Sequence, residues 1–317
     1  MKAQKNIWES INSPFLPAKF NKKKFNIVYT STTNKYFIEL QNIARNQCLN
    51  KKDWEEINQI NGWMVSAETA TFMKCGGLGV IATDLPEAFN TTFTATNETL
   101  TVVTPIYQGN TGKKHCEFSN NIYKGSEHNQ INLDFITTIE VPFMGSKDTL
   151  INYKIKIYKG FFENCNYIFL ENEHFFNIDP HHNNPPAQDG CYIMNKHGIN
   201  EVERFAFFSK AVFELLKAIA SNKIKTISMP NNIIANDWHV GAISGLLKYF
   251  TTALVASNHL DNKIASTLKN LPIIHIAHHL GYQGWDYENT SKILNSLYEY
   301  EALTVLKNAK SIKFCLK

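Results

Sequence analysis

The chain has 317 residues, 44% of them hydrophobic and 12% aromatic, enough for one large or two small domains with a real core; a disordered or fibrous chain is excluded. Its 32 Lys and Arg face 28 Asp and Glu, a net charge of +4 spread along the whole length rather than gathered into the patch of a nucleic-acid binder. The opening MKAQKNIWES lacks the apolar core of a signal peptide, and no run approaches the ~18 apolar residues of a membrane span, so the expectation is a soluble, cytoplasmic protein.

Residues 1–61 read as an N-terminal extension of unknown role, with lysines at 19, 22, 23 and 24, one apolar run at Phe25 to Tyr29, and weak helical spacing from Lys35 to Ile60. From Gly62 to the end the texture becomes that of an open, mostly parallel α/β sheet. Trp63 to Ser66 predicts a first strand, followed by a glycine loop, Lys74-Cys75-Gly76-Gly77-Leu78-Gly79, and a helix from about Val80 to Phe89. Further strands are predicted at Thr99 to Thr104, Ile131 to Val141, Asn152 to Tyr158 and Tyr167 to Leu170. A long polar loop, Asn172 to Cys191, carries His181, His182, Pro185, Pro186 and Gly190.

The clearest helix is Asn200 to Ala220, where Phe205, Phe208, Val212, Leu215 and Ile219 recur along one face as a core stripe. Ile233 to Ala235 is a buried strand ending at Asn236-Asp237-Trp238-His239, and Val240 to Phe250 is the helix after it, with Asp237 its natural N-cap. Ile273 to Ala277 is another strand, ending at His278-His279-Leu280-Gly281-Tyr282-Gln283-Gly284.

Three polar clusters therefore fall just past the carboxyl ends of predicted parallel strands, the edge at which open α/β sheets bind ligands. In the first, Gly76, Gly77 and Gly79 let the backbone approach an oxyanion at a helix N-terminus while Lys74 adds a mobile charge. The same pattern also serves as a tight connection with no ligand, and it is neither a Walker A loop nor G-x-G-x-x-G. The second cluster places the His239 imidazole at a strand-to-helix junction, where a satisfied structural histidine is the alternative. The third groups His275, His278 and His279, but on a strand His275 and His278 face opposite ways, so no metal site is expected. The six cysteines, Cys48, Cys75, Cys116, Cys165, Cys191 and Cys315, are far apart in sequence and contain no C-x-x-C, which reads as reduced packing thiols.

In combination the clusters carry a resemblance. Ser66-Ala67-Glu68, Lys74-x-Gly-Gly-Leu-Gly and Leu85-Pro86-x-Ala88, then Thr104-Pro105, Arg204-Phe205-Ala206, Ala235-Asn236-Asp237-Trp238-His239 and His278-x-Leu280-x-Tyr282-Gln283-Gly284 follow the order of the glycogen and starch synthase family. The resemblance implies the Rossmann-like N-terminal domain of a two-domain GT-B glycosyltransferase. It implies retaining transfer of glucose from ADP-glucose, or UDP-glucose, to the non-reducing end of an α-1,4-glucan, with no cofactor or metal. Lys74, Gly76 and Gly77 would then bind the donor, and His239 would be the catalytic-site histidine beside the transferred sugar. Tyr107, His278, Tyr282 and Gln283 would be the acceptor or sugar contacts, with the rings of Tyr107, Tyr282 and Trp285 suited to stacking.

Departures accompany the matches. Val80 stands where the family has Asp, Asn200 near where it has Asp, His279 where it has Asn, and Cys75 where it has Thr. The second GT-B domain is not found in the sequence, so the expectation is a truncated chain that is inactive alone. A non-catalytic glucan-binding or regulatory remnant is the alternative, and a generic α/β binding module of another family is a third reading.

Overall fold

The computed structural model describes residues 60–94, 98–145, 149–182 and 189–278, together with Ile293 and Leu297. The chain divides into two compact units, Met1–Glu56 and Ile57–Lys317, and every described residue lies in the second. The expected run at Phe25 to Tyr29, the helical spacing before Ile60, and His279, Tyr282, Gln283 and Trp285 lie outside the described residues.

Among the described residues eleven strands form two sheets. The larger has the order β11-β10-β1-β2-β9-β8-β7, made of β1 (Asn61–Val65), β2 (Thr99–Pro105), β7 (Asp134–Phe143), β8 (Ile151–Phe162), β9 (Cys165–Glu171), β10 (Asn232–Asn236) and β11 (Ile273–Ile276). The five strands from β11 to β9 are parallel, while β8 and β7 extend the sheet antiparallel at one edge. An open, mostly parallel α/β sheet is thus present, as the strand–helix alternation implied. Burial follows the same division: β1, β2 and β10 are buried along almost their whole length, whereas β8 alternates exposed and covered residues.

Central to the layout is where the chain reverses. It leaves β1 through α1 (Gly77–Thr92) to reach β2 on one side, and much later enters β10 on the other side of β1 through α3 (Glu201–Ala220). The strand order therefore reverses at the carboxyl ends of β1 and β10, the kind of switch point at which open α/β sheets bind ligands.

Several elements differ from the sequence expectation. Helix α1 begins at Gly77 rather than Val80, so two glycines of the predicted loop belong to its first turn; glycine's poor helix propensity hides that start. The expected strand Ile131 to Val141 is two strands, because the chain changes sheets at Leu133, whose amide donates to the Asn121 carbonyl. Its first part, β6 (Gln130–Asn132), joins β3 (Gly109–Asn110), β4 (His115–Ser119) and β5 (Ile122–Lys124) in a small antiparallel sheet. A one-turn helix, α2 (Glu173–Phe176), lies within the long polar loop, capped by Asn172.

The segment expected as one helix from Val240 to Phe250 is a 3-10 turn (Trp238–Val240), α4 (Ala242–Gly245), a π turn (Leu246–Phe250) and α5 (Thr251–Ala256). The Thr251 hydroxyl donates to the Leu246 carbonyl five residues back, satisfying an acceptor in the widened turn. Helix α6 (Asn262–Asn270) was not foreseen, although Asp261 caps it through the Lys263 and Ile264 amides.

Helix α3 departs most from a surface stripe. Every residue in it except Lys217 and Ala220 is buried, so its charged groups must be satisfied inside. Lys210 and Lys217 both reach Glu214, and Arg204, fully buried, donates to the carbonyls of Phe175, Cys191, Ile193 and Asn177. Phe207 stacks on Phe175 with ring centroids 3.7 Å apart. At the helix start Asn200 is the N-cap, its side chain accepting from the Glu203 amide at 2.9 Å. Asn and Asp cap equally well, so the change at this position leaves the helix start intact. We predict that Asn200→Ala lowers stability by ~1 kcal/mol while Asn200→Asp leaves it nearly unchanged. Thermal melts of the three proteins check this, and an Asp variant as weak as the Ala variant would deny the capping role.

Candidate active site

The site is organised by Glu68, three residues beyond the end of β1 and fully buried. Its Oε2 accepts from the Cys75 amide at 2.7 Å and the Gly76 amide at 2.9 Å, while its Oε1 accepts from the Tyr192 hydroxyl at 2.8 Å. A buried carboxylate is tolerated only with such donors around it, and these three fix the start of the glycine loop to the sheet. Support comes from below as well. Ser66 donates to the Glu68 carbonyl, and Tyr107 donates through its hydroxyl to the Ala67 carbonyl at 2.6 Å.

The glycines divide by the reason for their presence. At Gly79 an added Cβ would crowd the Ala70 amide and Glu68 Oε2 at 3.1 and 3.2 Å, so packing demands glycine there. At Gly76 and Gly77 an added Cβ meets no atom within 4 Å, and neither has a positive φ. Neither packing nor backbone conformation requires glycine at those two positions, which removes the tight-connection reading for them. Helix α1 begins there without a side-chain cap and without an acidic residue in its first turn, leaving its first N–H groups to solvent or to an anion. Lys74 and Gly77 are exposed beside it.

His239 lies at the end of β10 in the 3-10 turn and is only 3% exposed, closed in by the rings of Trp238, Phe205 and Tyr192. Its Nε2 is 2.9 Å from the Tyr192 oxygen. Because Tyr192 gives its one proton to Glu68, the imidazole must donate from Nε2, which leaves Nδ1 an unprotonated acceptor. That Nδ1 is buried and has no partner among the described residues. Burial, reinforced by the charge of His278, pushes the imidazole down to a pKa of about 3. Burial also holds the Tyr192 phenol far above its ordinary range, with Cys191 and Glu68 adding to the effect.

The third cluster joins the same edge. His278 Nε2 is 2.7 Å from Asn236 Oδ1, and buried Asn236 donates onward to Ser66. Asp237 holds a strained backbone, φ 67°, a conformation that costs a non-glycine residue ~1–3 kcal/mol. Its carboxylate does not cap the following turn as expected; it accepts from the His278 amide at 3.4 Å instead. Among the described residues no group of three or more His, Cys, Asp or Glu is arranged to hold a metal ion, and no helix is long and apolar enough to cross a membrane.

The structure therefore brings Lys74, Gly76, Gly77, His239 and His278 to one edge. Tyr107 is a correction: it is fully buried, its ring packs edge-on against Phe176 and its hydroxyl is committed to Ala67, so it offers no face to a sugar. Sequence reasoning gave no role to Glu68 or Tyr192. Glu68 was visible only as part of Ser66-Ala67-Glu68, and Tyr192, over a hundred positions away, carried no local signal at all.

A free helix N-terminus beside a mobile lysine, at a crevice where strand order reverses, is the class of site with which nucleotide-binding α/β domains take up anions. The family described as starch synthase catalytic domain matches residues 63–315, and the chain belongs to that family. The glycogen synthase of Acholeplasma laidlawii is 27% identical over 235 residues, covering 74% of this chain and 37% of that protein. That of Natranaerobius thermophilus is 26% identical over 210 residues, 66% of this chain and 33% of that protein. The catalytic domain of starch synthase IV from Arabidopsis thaliana, solved bound to ADP and acarbose, is 22% identical with a TM-score of 0.44, covering 71% of this chain and 35% of that one. The chain thus spans about a third of the length of the curated relatives it matches.

The His239 environment makes a pH prediction. Below about pH 6.5 the unfolded chain takes up a proton at this residue that the folded core refuses until about pH 3, so its contribution is complete above that window and is lost as pH falls through it. The loss amounts to at most ~1.4 kcal/mol per pH unit. Urea titrations across the window should show a shallower acid destabilisation for His239→Gln than for the parent protein. Identical slopes would mean that the folded imidazole protonates freely.

Proposed function

We propose that residues 62–317 form the acceptor-side, N-terminal domain of a GT-B α-1,4-glucan synthase that transfers glucose from ADP-glucose to the non-reducing end of a glucan with retention. The observation that carries this reading is the uncapped start of α1 beside exposed Lys74, with two glycines that the fold itself does not need. As the bond from glucose to the diphosphate breaks, negative charge grows on the departing oxygens. The free N–H groups of α1 and the Lys74 ammonium are fixed dipole and mobile charge placed to meet it.

The His239 assignment rests on the family pattern together with its chemistry. The imidazole is neutral, so it adds no charge to the sugar side. His278, exposed and anchored through Asn236, is placed with the sugar contacts, as are Tyr282 and Gln283 on the family pattern.

UDP-glucose is the competing donor. The non-catalytic remnant loses part of its motivation, because Asn200 caps its helix as the family's Asp would. Val80, half-buried in the first turn of α1, removes a carboxylate that would otherwise compete with a bound anion for the helix terminus.

Two measurements test the proposal. Titration with ADP-glucose, UDP-glucose and glucose should give binding to the nucleotide sugars only, weakened at least tenfold, ~1.4 kcal/mol, by Lys74→Ala. Gly77→Ala should weaken binding similarly without lowering stability, since no protein atom opposes its Cβ. Equal binding by all three proteins would remove the loop from the site. With radiolabelled ADP-glucose and glycogen, the 317 residues alone should incorporate no glucose above a His239→Ala control. Incorporation above that control would show that one domain suffices.

A further inference from the structure

The glycine loop contains a second reactive feature that the transfer reaction does not use. Cys75 Sγ lies 3.3 Å from Cys191 Sγ, although the two residues are 116 positions apart. Both are free thiols; Cys191 is fully buried, while Cys75 is partly exposed. The Cys191 amide also donates to Cys75 Sγ at 3.4 Å, an arrangement that favours negative charge on that sulfur.

Two further observations indicate that the approach is built into the fold. Gly190 has φ +57°, and an added Cβ there would sit 2.4 Å from Cys75 Sγ, so the turn before Cys191 leaves room for that sulfur. Arg204 clamps the turn by donating to the carbonyls of Cys191 and Ile193, and Asp189 caps it through the Gly190 amide at 2.7 Å. Cys191 is therefore held still, and Cys75, on the loop, is the partner with freedom to move. A disulfide needs the sulfurs to close from 3.3 Å to about 2.05 Å, a side-chain adjustment rather than a rearrangement of the sheet.

We propose that Cys75 and Cys191 form a reversible disulfide that ties the glycine loop to the 190–192 turn under oxidising conditions. With hydrogen peroxide as oxidant, Cys75 Sγ becomes a sulfenic acid and one water is released. Cys191 Sγ then bonds to Cys75 Sγ, and the sulfenic hydroxyl leaves with the Cys191 proton as a second water. Two thiols are oxidised and one peroxide is reduced; a small dithiol returns both thiols by exchange. The oxidised loop is held from both sides, by Glu68 on its amides and by Cys191 on its side chain, with Lys74, Gly76 and Gly77 flanking the bond. Formation of the bond does not depend on the proposed donor reading, since a chain that binds no nucleotide sugar would still form it.

The test is a peptide map of the full chain treated natively with hydrogen peroxide, alkylated with N-ethylmaleimide and digested without reduction. The expected result is a peptide joining Cys75 to Cys191, lighter by two hydrogens and abolished by dithiothreitol. Hydrogen exchange at the Cys75 and Gly76 amides should slow in the oxidised protein. In Cys191→Ser the reaction should stop at a Cys75 sulfenic acid trapped by dimedone. Alkylation of both cysteines after peroxide treatment, over-oxidation of Cys75 without cross-linking, or a bridge from Cys75 to another cysteine would each overturn the proposal. The map of the unsubstituted protein decides the matter even if Cys191→Ser fails to fold.

Discussion

Almost everything at the carboxyl edge of the sheet depends on one buried carboxylate. Glu68 takes two backbone amides of the glycine loop on one oxygen and the Tyr192 hydroxyl on the other. Each is a charge-assisted contact to a fully buried carboxylate, and losing a partner leaves that charge less well satisfied at a cost of about 1–3 kcal/mol or more. The carboxylate therefore sets three things together: the path of the loop, the start of α1, and the direction in which Tyr192 donates. The last of these fixes the tautomer of His239. A histidine just past β10 is thus oriented by an acid just past β1 through a tyrosine that belongs to neither strand.

That arrangement needs a rigid floor, and the fold supplies it with polar groups that a simple hydrophobic count would place at the surface. Arg204 is fully buried yet serves four carbonyls, three of them in or beside the segments that present Cys191, Tyr192 and Asn177. Tyr107 fills the space beneath Ala67 and closes its own hydroxyl onto the chain there. Asn236 bridges His278 and Ser66 across neighbouring strands. Arg204 and Tyr107 take up backbone carbonyls outside the ladders, and Asn236 links two side chains, so the irregular segments acquire a defined geometry without joining a ladder.

The difference between what the sequence disclosed and what it withheld follows range. Strands β1, β2, β9 and β10 were legible because a buried parallel strand is a short apolar run, and α3 because its phenylalanines keep helical spacing. The glycine loop and the strand-end histidines were legible as local patterns. The Glu68–Tyr192–His239 chain and the approach of Cys75 to Cys191 join residues more than a hundred positions apart, and no window of sequence contains both ends. Tyr107 was misplaced for the same reason. Its position after β2 suggested an exposed ring, while the acceptor that buries it lies on another segment. The small sheet β3–β6 was hidden because its strands are too short to show alternation.

The geometry also separates what this edge exposes from what it buries. Its charge and the start of α1 face outward, since Lys74 and Gly77 are exposed, while His239 Nδ1, a buried acceptor with no partner among the described residues, is shut inside. A unit charge pair about 4 Å apart is worth ~1 kcal/mol in bulk water and about four times that near a covered protein surface. An exposed lysine and exposed amides therefore gain most of their attraction for an anion only where water is excluded. Burying Lys74 in advance would impose a desolvation penalty on the free protein. Leaving it exposed and holding the loop through Glu68 avoids that cost, keeping the amides in position while the charge stays hydrated.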